Sequence, residues 1–259
     1  MRHLDPKKFI SKIFFILAPV LITLCLLCIF IARSGLFIKR IIKERPAKYE
    51  VELVKWFPFS QESSLAEWET KVFKDRVVYR VEQDKGLCYV RATSKAAASA
   101  LYYRIKLDAK NRRPVISWKW RVEKFPEKKL PESLEIQNED DFAARVYVIF
   151  PALFFTNWKV LEYVWTEKLP LGTIGTSPYS KNIKLIVAGS GSGEKDEWLS
   201  EERDIVADYV KAYGRTPEYD IGAMAVMTNT EHTGSSADAM YGDIKLGYIK
   251  ENNRKGGGL

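Results

Sequence analysis

The sequence predicts a mainly β fold: an antiparallel, jelly-roll-like β-sandwich with one packed α-helix, preceded by one transmembrane helix. Three observations predict it. Apolar residues recur at every second position in run after run from Val77 to Tyr248. Gly, Pro and Asn clusters separate these runs at short intervals, as in folds of many short strands rather than strands alternating with helices. Near the N-terminus, Ile13 to Ala32 is a stretch of twenty residues without a charge.

That stretch is bounded by Lys12 and Arg33. At about 1.5 Å per residue it reaches roughly 30 Å as a helix, the thickness of a hydrocarbon core. Pro19 within it is a break that membrane helices tolerate. A cleaved signal peptide is the competing reading. Phe30-Ile31-Ala32 lacks the small residue that cleavage after Ala32 needs, and Leu24 and Leu27 precede Cys25 and Cys28 where lipoprotein processing wants a small one. An uncleaved anchor is therefore expected. Four basic residues precede the run and six follow it. A literal charge count puts the domain in the cytoplasm, whereas large domains translocate largely regardless of flanking charge. The extracytoplasmic side is the expectation.

Residues 1–12 form a basic flank and residues 33–60 a basic juxtamembrane linker interrupted by Gly35 and Pro46, solvated or lying on anionic lipid. The sandwich is expected over 61–250 and a disordered tail over 251–259. Val77 to Val81 and Leu87 to Ala92 alternate on either side of Gln83-Asp84-Lys85-Gly86, a hairpin signal. The same period marks Leu101 to Leu107, Ile116 to Val122, Phe142 to Phe150, Leu161 to Trp165, Ile183 to Ala188, Ile221 to Met227 and Ile244 to Tyr248. A helix is predicted from Ser200 as N-cap, with Glu201, Glu202 and Asp204 at its positive end. Ile205, Val206, Tyr209 and Tyr213 fall on one face, and Gly214 stops it before Pro217.

The net charge of +8 and pI near 9.2 suggest nucleic acid until the charges are located. Up to Lys48 there are ten basic residues against two acidic ones, which leaves 31 of each sign in the remainder. A neutral domain lacks the field that phosphate-backbone binding needs, so no nucleic-acid partner is expected. Cys88 is the lone cysteine and His232 the lone histidine after residue 33, so the fold must be held by its core.

Trp118 and Trp120 share a strand face with Ile116 and Val122, which favours core packing over a stacking platform. Asp141, Arg145 and Tyr147 align opposite an apolar strand face. That arrangement can hold a polar ligand, or it can be a ladder of ion pairs with Lys119 or Arg121. Asp140 and Asp141 face opposite ways in a strand, unlike a catalytic dyad. Tyr163 and Trp165 share a further strand face. Gly189 to Gly193 has no Walker lysine and reads as a flexible loop, and its serines have no histidine partner. Thr228-Asn229-Thr230-Glu231-His232-Thr233-Gly234 is dense in side-chain oxygens. It reads as an ordinary turn, as a pocket wall, or as a site for a hard cation such as calcium, with Asp238 or Asp243 assisting, although it lacks EF-hand spacing. No cofactor is otherwise expected.

Several ordered motifs resemble a bacterial family known as domain of unknown function 3047. They are Ile116-Ser-Trp-Lys-Trp-Arg121, Asp140-Asp-Phe-Ala-Ala-Arg-Val-Tyr147, Tyr163-Val-Trp165, Ser177-Pro-Tyr179, Glu202-Arg-Asp204 to Asp208-Tyr209, and Met227 to Gly234 leading to Tyr241-Gly-Asp-Ile244. The resemblance spans about Leu65 to Tyr248, and Asn229, Glu231 and His232 depart from the family's Thr-Asp alternation. It implies exported members of a bacterial envelope, here in the inner membrane, and a carbohydrate-binding-like jelly roll, but no activity. The function expected is recognition of a glycan or glycolipid by Asp141, Arg145, Tyr147, Trp165, Thr228, Asn229, Glu231 and Asp243. The alternatives are a carboxylate-based glycan hydrolase, whose two acids must face each other across a cleft, and a non-catalytic scaffold. The binding and hydrolase versions both require Asp141, Glu231 and Asp243 to border one concave pocket.

Overall fold

The computed structural model describes residues 47–84, 86–154, 157–191 and 197–250, with the backbone of Ile42 and Lys43. The expected membrane segment Ile13 to Ala32, the tail 251–259 and the end of the glycine-rich loop lie outside the described residues. Among the described residues no helix is long and apolar enough to cross a membrane. The chain divides into units 1–43 and 44–259. Of the first, only the two-residue strand Ile42–Lys43 is described.

The second unit is a sandwich of two sheets. Its elements in chain order are β1 (Val51–Phe57), β2 (Glu69–Lys74), β3 (Val78–Asp84), β4 (Leu87–Lys95), β5 (Ala98–Leu107), β6 (Pro114–Lys124), β7 (Ala144–Phe150), β8 (Lys159–Thr166), β9 (Ile174–Ser177), β10 (Ser180–Ser190), β11 (Trp198–Asp204), α1 (Ile205–Tyr213), β12 (Ile221–Asn229) and β13 (Ser236–Ile249). The first sheet runs β11-β6-β13-β4-β3, with β1 also paired to β13. The second runs β9-β10-β8-β7-β12-β5-β2. The pairs are antiparallel except β8 and β10, which run parallel. Residues 51–57, which the sequence assigns to the linker, form β1 on the Ile244–Ile249 half of β13.

The hairpin of β3 and β4 closes over two residues in register Asp84 to Leu87, with Gly86 at φ 84°, where a side chain would be strained. The predicted helix starts later than its acidic run suggests. Ser200, Glu201 and Glu202 pair with Lys119, Trp118 and Ser117 as part of β11. Asp204 is the N-cap, accepting from the Ala207 N–H at 3.1 Å, and Gly214 ends the helix at φ 72°. Acidic residues suit a helix start, but the ladder with β6 satisfies their backbone first.

Trp118 and Trp120 are buried, at 1% and 0% exposure, as the shared face with Ile116 predicts. They meet the second sheet directly, Trp118 on Tyr163 at 5.2 Å and Trp120 on Trp165 at 5.5 Å between centroids. Such pairs each contribute about 0.5–1.5 kcal/mol beyond the area they bury. Gly189 makes room for this layer, because a Cβ there would stand 2.6 Å from the Trp165 ring.

The outer face of the second sheet is apolar too, in two patches. Over one, the β6–β7 connection lays Leu134 and Phe142 on Val164, Leu185 and Val187. Glu132 ties that connection down by accepting the backbone N–H groups of Glu167, Lys168 and Leu169. The other patch is Ala98, Ala100, Ala225 and Met227, flanked by Tyr102 and Tyr147.

Candidate functional site

Ala100, Ala225 and Met227 of the second patch form the floor of a groove of about 490 Å³, within the range of ligand sites. Strand register builds it. Ala225 of β12 pairs with Tyr102 of β5 on one side and Tyr147 of β7 on the other, and Tyr147 pairs with Glu162 of β8. Strands lie about 4.8 Å apart, so the two tyrosines flank a gap of roughly 10 Å over an alanine. Met227 stands between Ala100 and Arg145 in the next row. Phe73 and Trp158 extend the apolar walls, and Tyr179 and His232 close the rim with their hydroxyl and Nε2 in contact.

One end of the groove is charged. The buried Arg145 guanidinium donates to Glu162 Oε1 at 2.6 Å, to the Tyr147 hydroxyl at 3.3 Å and to the Asp140 carbonyl. Burial alone would lower the Arg145 pKa, but Asp140 and Glu162 hold it well above its usual value. Glu162 has the opposite balance. Burial outweighs the pull of Arg145, Asp140 adds repulsion, and the carboxyl is pushed up to about 7.

The Thr228 to Gly234 loop is organised by Asp141, which has no exposure. Asp141 Oδ2 accepts from the Thr233 N–H at 2.7 Å and hydroxyl at 2.8 Å, and Oδ1 accepts from Asn229 Nδ2 at 2.8 Å. Burial works against ionisation, yet the Thr233 donors hold the Asp141 carboxyl below its ordinary range. Glu231 is shifted upward by burial, against its bond from Asn229 Nδ2 at 2.9 Å. Asp141, Glu231 and His232 offer ligand atoms within 4.8 Å of one another. As a cation site the set fits poorly, since both Asp141 oxygens already accept bonds from the loop.

Of the residues expected at the site, Arg145, Tyr147, Asn229 and Glu231 line this groove. The others do not. Asp141 lies beneath the loop, because β7 starts only at Ala144 and the alternation does not extend back to it. Trp165 shares the parity of Leu161 and Tyr163 and is in the core. Thr228 is interior, its hydroxyl on the Ala143 carbonyl and the Tyr241 hydroxyl. Asp243 belongs to the first sheet, where it accepts from Trp56 Nε1 at 2.7 Å and pairs with Lys119 and Lys245, and Asp238 pairs with Arg91. Asp141, Glu231 and Asp243 therefore do not border one pocket, and both versions built on that trio fail. The ion-pair ladder also has other partners, since Arg145 meets Glu162 and Asp140 while Arg121 meets Glu123.

Tyr102, Ala225, Glu162 and Tyr179 are groove residues that the sequence reading did not select. Glu162 carried a signal, a carboxylate within an apolar strand. The alanines carried none, because smallness matters only beside the rings that flank it.

Among solved structures, the chain is similar to the family 11 carbohydrate-binding module of a Clostridium thermocellum cellulosomal cellulase, at 9% identity over 80% of this chain and 99% of that one, TM-score 0.40. It is similar to the xyloglucanase domain of a type three effector from Sinorhizobium fredii, at 10% identity over 79% and 100%, TM-score 0.42. It is also similar to a family 30 carbohydrate-binding module of another Clostridium thermocellum cellulase, at 9% identity over 72% and 93%, TM-score 0.39. These distant likenesses say nothing of this chain's ligand. No curated protein matches the sequence. The model of the family described as protein of unknown function (DUF3047) matches residues 66–245, and the chain belongs to that family.

Proposed function

We propose that this domain is a non-catalytic recognition module that holds a glycan or glycolipid of the cell envelope in the groove between Tyr102 and Tyr147. The observation that carries this is an apolar trough, floored by Ala100 and Ala225, left open on a sheet whose other apolar patch is covered. A concave apolar surface of this volume with a few polar groups at its edge is the usual form of a ligand site. Aromatic walls suit the C–H faces of sugar rings or an acyl chain, and Tyr147, Glu231 and His232 supply hydrogen-bonding groups for hydroxyls. The proposal includes anchorage by Ile13 to Ala32 in a bacterial inner membrane with the domain outside the cytoplasm. Protease protection in intact and permeabilised cells tests that placement.

A hydrolase reading draws on Glu162, whose carboxyl titrates near neutrality as a general acid should. That carboxyl lines the groove but is only 3% exposed, and its Oε1 is held by the Arg145 guanidinium at 2.6 Å, so little of it is offered to an occupant, and binding without reaction is the better account. Binding to an array of envelope glycans and to glycolipid vesicles, by wild type and Ala225→Leu, tests the reading. Binding by wild type that falls at least about tenfold in the variant supports it. Equal binding by both moves the site elsewhere, absence of any ligand favours the scaffold, and release of reducing sugar makes it an enzyme.

A further inference from the structure

The groove changes character along its strands. At one end Ile149, Val160 and Ile183 stand in a single register row on β7, β8 and β10, each half-buried and lining the groove. Trp158 lines the groove as well, and its Nε1 donates to the Ala152 carbonyl at 3.0 Å. This aliphatic end therefore offers an occupant no side-chain hydrogen bond. Two residues along β7 comes the row of Ala225, Tyr147 and Glu162, and two further the row of Met227 and Arg145. Beyond Met227 the rim is polar, with Asn229, Glu231, His232 and Tyr179. Along β12, from Ala223 opposite Ile149 to Asn229, the gradient covers about 20 Å at roughly 3.3 Å per residue.

A sugar carries hydroxyls around its whole ring, so one seated on Ile149, Val160 and Ile183 would give up water and receive no hydrogen bond in return. An alkyl chain gains from the same row with every methylene it buries. The polar end has the opposite preference. Carboxylate oxygens of Asp141 and Glu231 lie 3.3 Å and 3.4 Å from His232 Nδ1, so this nitrogen carries its proton toward them and Nε2 accepts from the Tyr179 hydroxyl. The Tyr179 oxygen and the Glu231 carboxylate are left as acceptors, which suit a head that donates hydroxyls. We propose that the occupant is an amphiphile whose acyl chain lies along the groove onto Ile149, Val160 and Ile183, with a hydroxyl-bearing head at Tyr179 and Glu231. This rests on the groove being the binding site and narrows its ligand class: a glycolipid is held by its chain, and a bare oligosaccharide is not bound.

The test uses the full chain in phosphatidylcholine vesicles and a short-chain monoacylglycerol, which exchanges through water and carries a diazirine near the end of its acyl chain. After irradiation, mass spectrometry locates the label. The expected result is label on Ile149, Val160 or Ile183, lowered about tenfold or more by Ala225→Leu, which blocks the path along the floor. Circular dichroism checks that this variant is folded. Val160→Asn, which makes the row polar without filling the groove, is expected to lower the label to a similar degree and serves if Ala225→Leu does not fold. Label on the row that neither folded variant reduces overturns the proposal, because the chain then does not lie in the groove. No label on the row, with envelope oligosaccharides bound by wild type and lost in Ala225→Leu, overturns the proposal and leaves the groove as a glycan site. Neither label nor oligosaccharide binding overturns both.

Discussion

The two apolar patches on the outer face of the second sheet differ in what lies over them. Val164, Leu185 and Val187 are roofed by Leu134 and Phe142 from the β6–β7 connection. Ala100, Ala225 and Met227 have no comparable roof and form the floor of the groove, with Ala98 buried beside them. A sheet face turned to water is ordinarily polar, so both patches break the alternation that the strands otherwise follow. The difference lies in side-chain size. Branched residues fill the space beneath a connection that Glu132 pins in place, whereas alanines between tyrosines leave a volume. The first arrangement stabilises the fold and the second reserves room.

If that contrast is right, truncation should be costly under the roof and cheap in the groove. Phe142→Ala, at a side chain 1% exposed with the Lys128 amine 4.0 Å from its ring, is expected to destabilise by about 3–5 kcal/mol. Met227→Ala is expected to cost less than half as much, because solvent enters the space it leaves. Urea midpoints of the two variants decide it, and equal losses would mean that the groove is part of the core.

The next largest effect belongs to the charged end of the groove. Glu162 titrates at about 7 in the folded protein against an ordinary 4.5, so between these values the folded state keeps a proton that the unfolded chain has released. Its contribution is therefore fully present below pH 4.5, is lost as pH rises to about 7, and amounts to at most about 3 kcal/mol. Glu162→Gln should flatten stability over that window. Asp141 has the opposite sign. Its carboxyl is held below 3.8, so its contribution is present above that value and is lost as pH falls further. Unfolding midpoints measured from acid to neutral pH separate the two residues.

Filling the groove should matter less to the fold than emptying the roof. Ala225→Leu places its added carbons above the sheet between two rings, and the expected change in stability is within about 1 kcal/mol of wild type. A loss comparable to that of Phe142→Ala in thermal unfolding would show that the space is not free.

Period-two patterning exposed most of the strands and the tryptophan core, because alternation is a property of local sequence. It failed where a strand's start or parity mattered. Alternation aligns Asp141 with Arg145 only if the strand extends back past Ala144, which it does not, and Trp165 follows the parity of Tyr163 into the core rather than onto the surface. β1 was hidden because Lys55 and the exposed Leu53 and Val54 break the alternation of a strand that depends on β13. Arg145 and Tyr147 were legible as polar residues opposite an apolar face. Their partner across the floor, Tyr102, was not, since the pairing of β12 with both β5 and β7 joins residues far apart in sequence.

The smallest expected effect concerns calcium at the loop that rims the groove. Asp141 Oδ2 accepts two donors from Thr233, Oδ1 accepts from Asn229, and Asn229 also holds Glu231. Hydrogen bonds to a charged group contribute about 1.5–3 kcal/mol each, so a cation that claimed these oxygens would displace more than one such bond before gaining its own ligands. Asp238 and Asp243, which would have completed a hard oxygen shell, are engaged on the first sheet by Arg91 and by Lys119 and Lys245. Added calcium, or a chelator, is accordingly expected to move Tm by no more than about 1 °C. A saturable rise of several degrees that vanishes in Asp141→Asn would make the loop a cation site. It would also mean that Glu231 faces an ion rather than a ligand, so the open half of the sheet would be closed by a metal at its polar end.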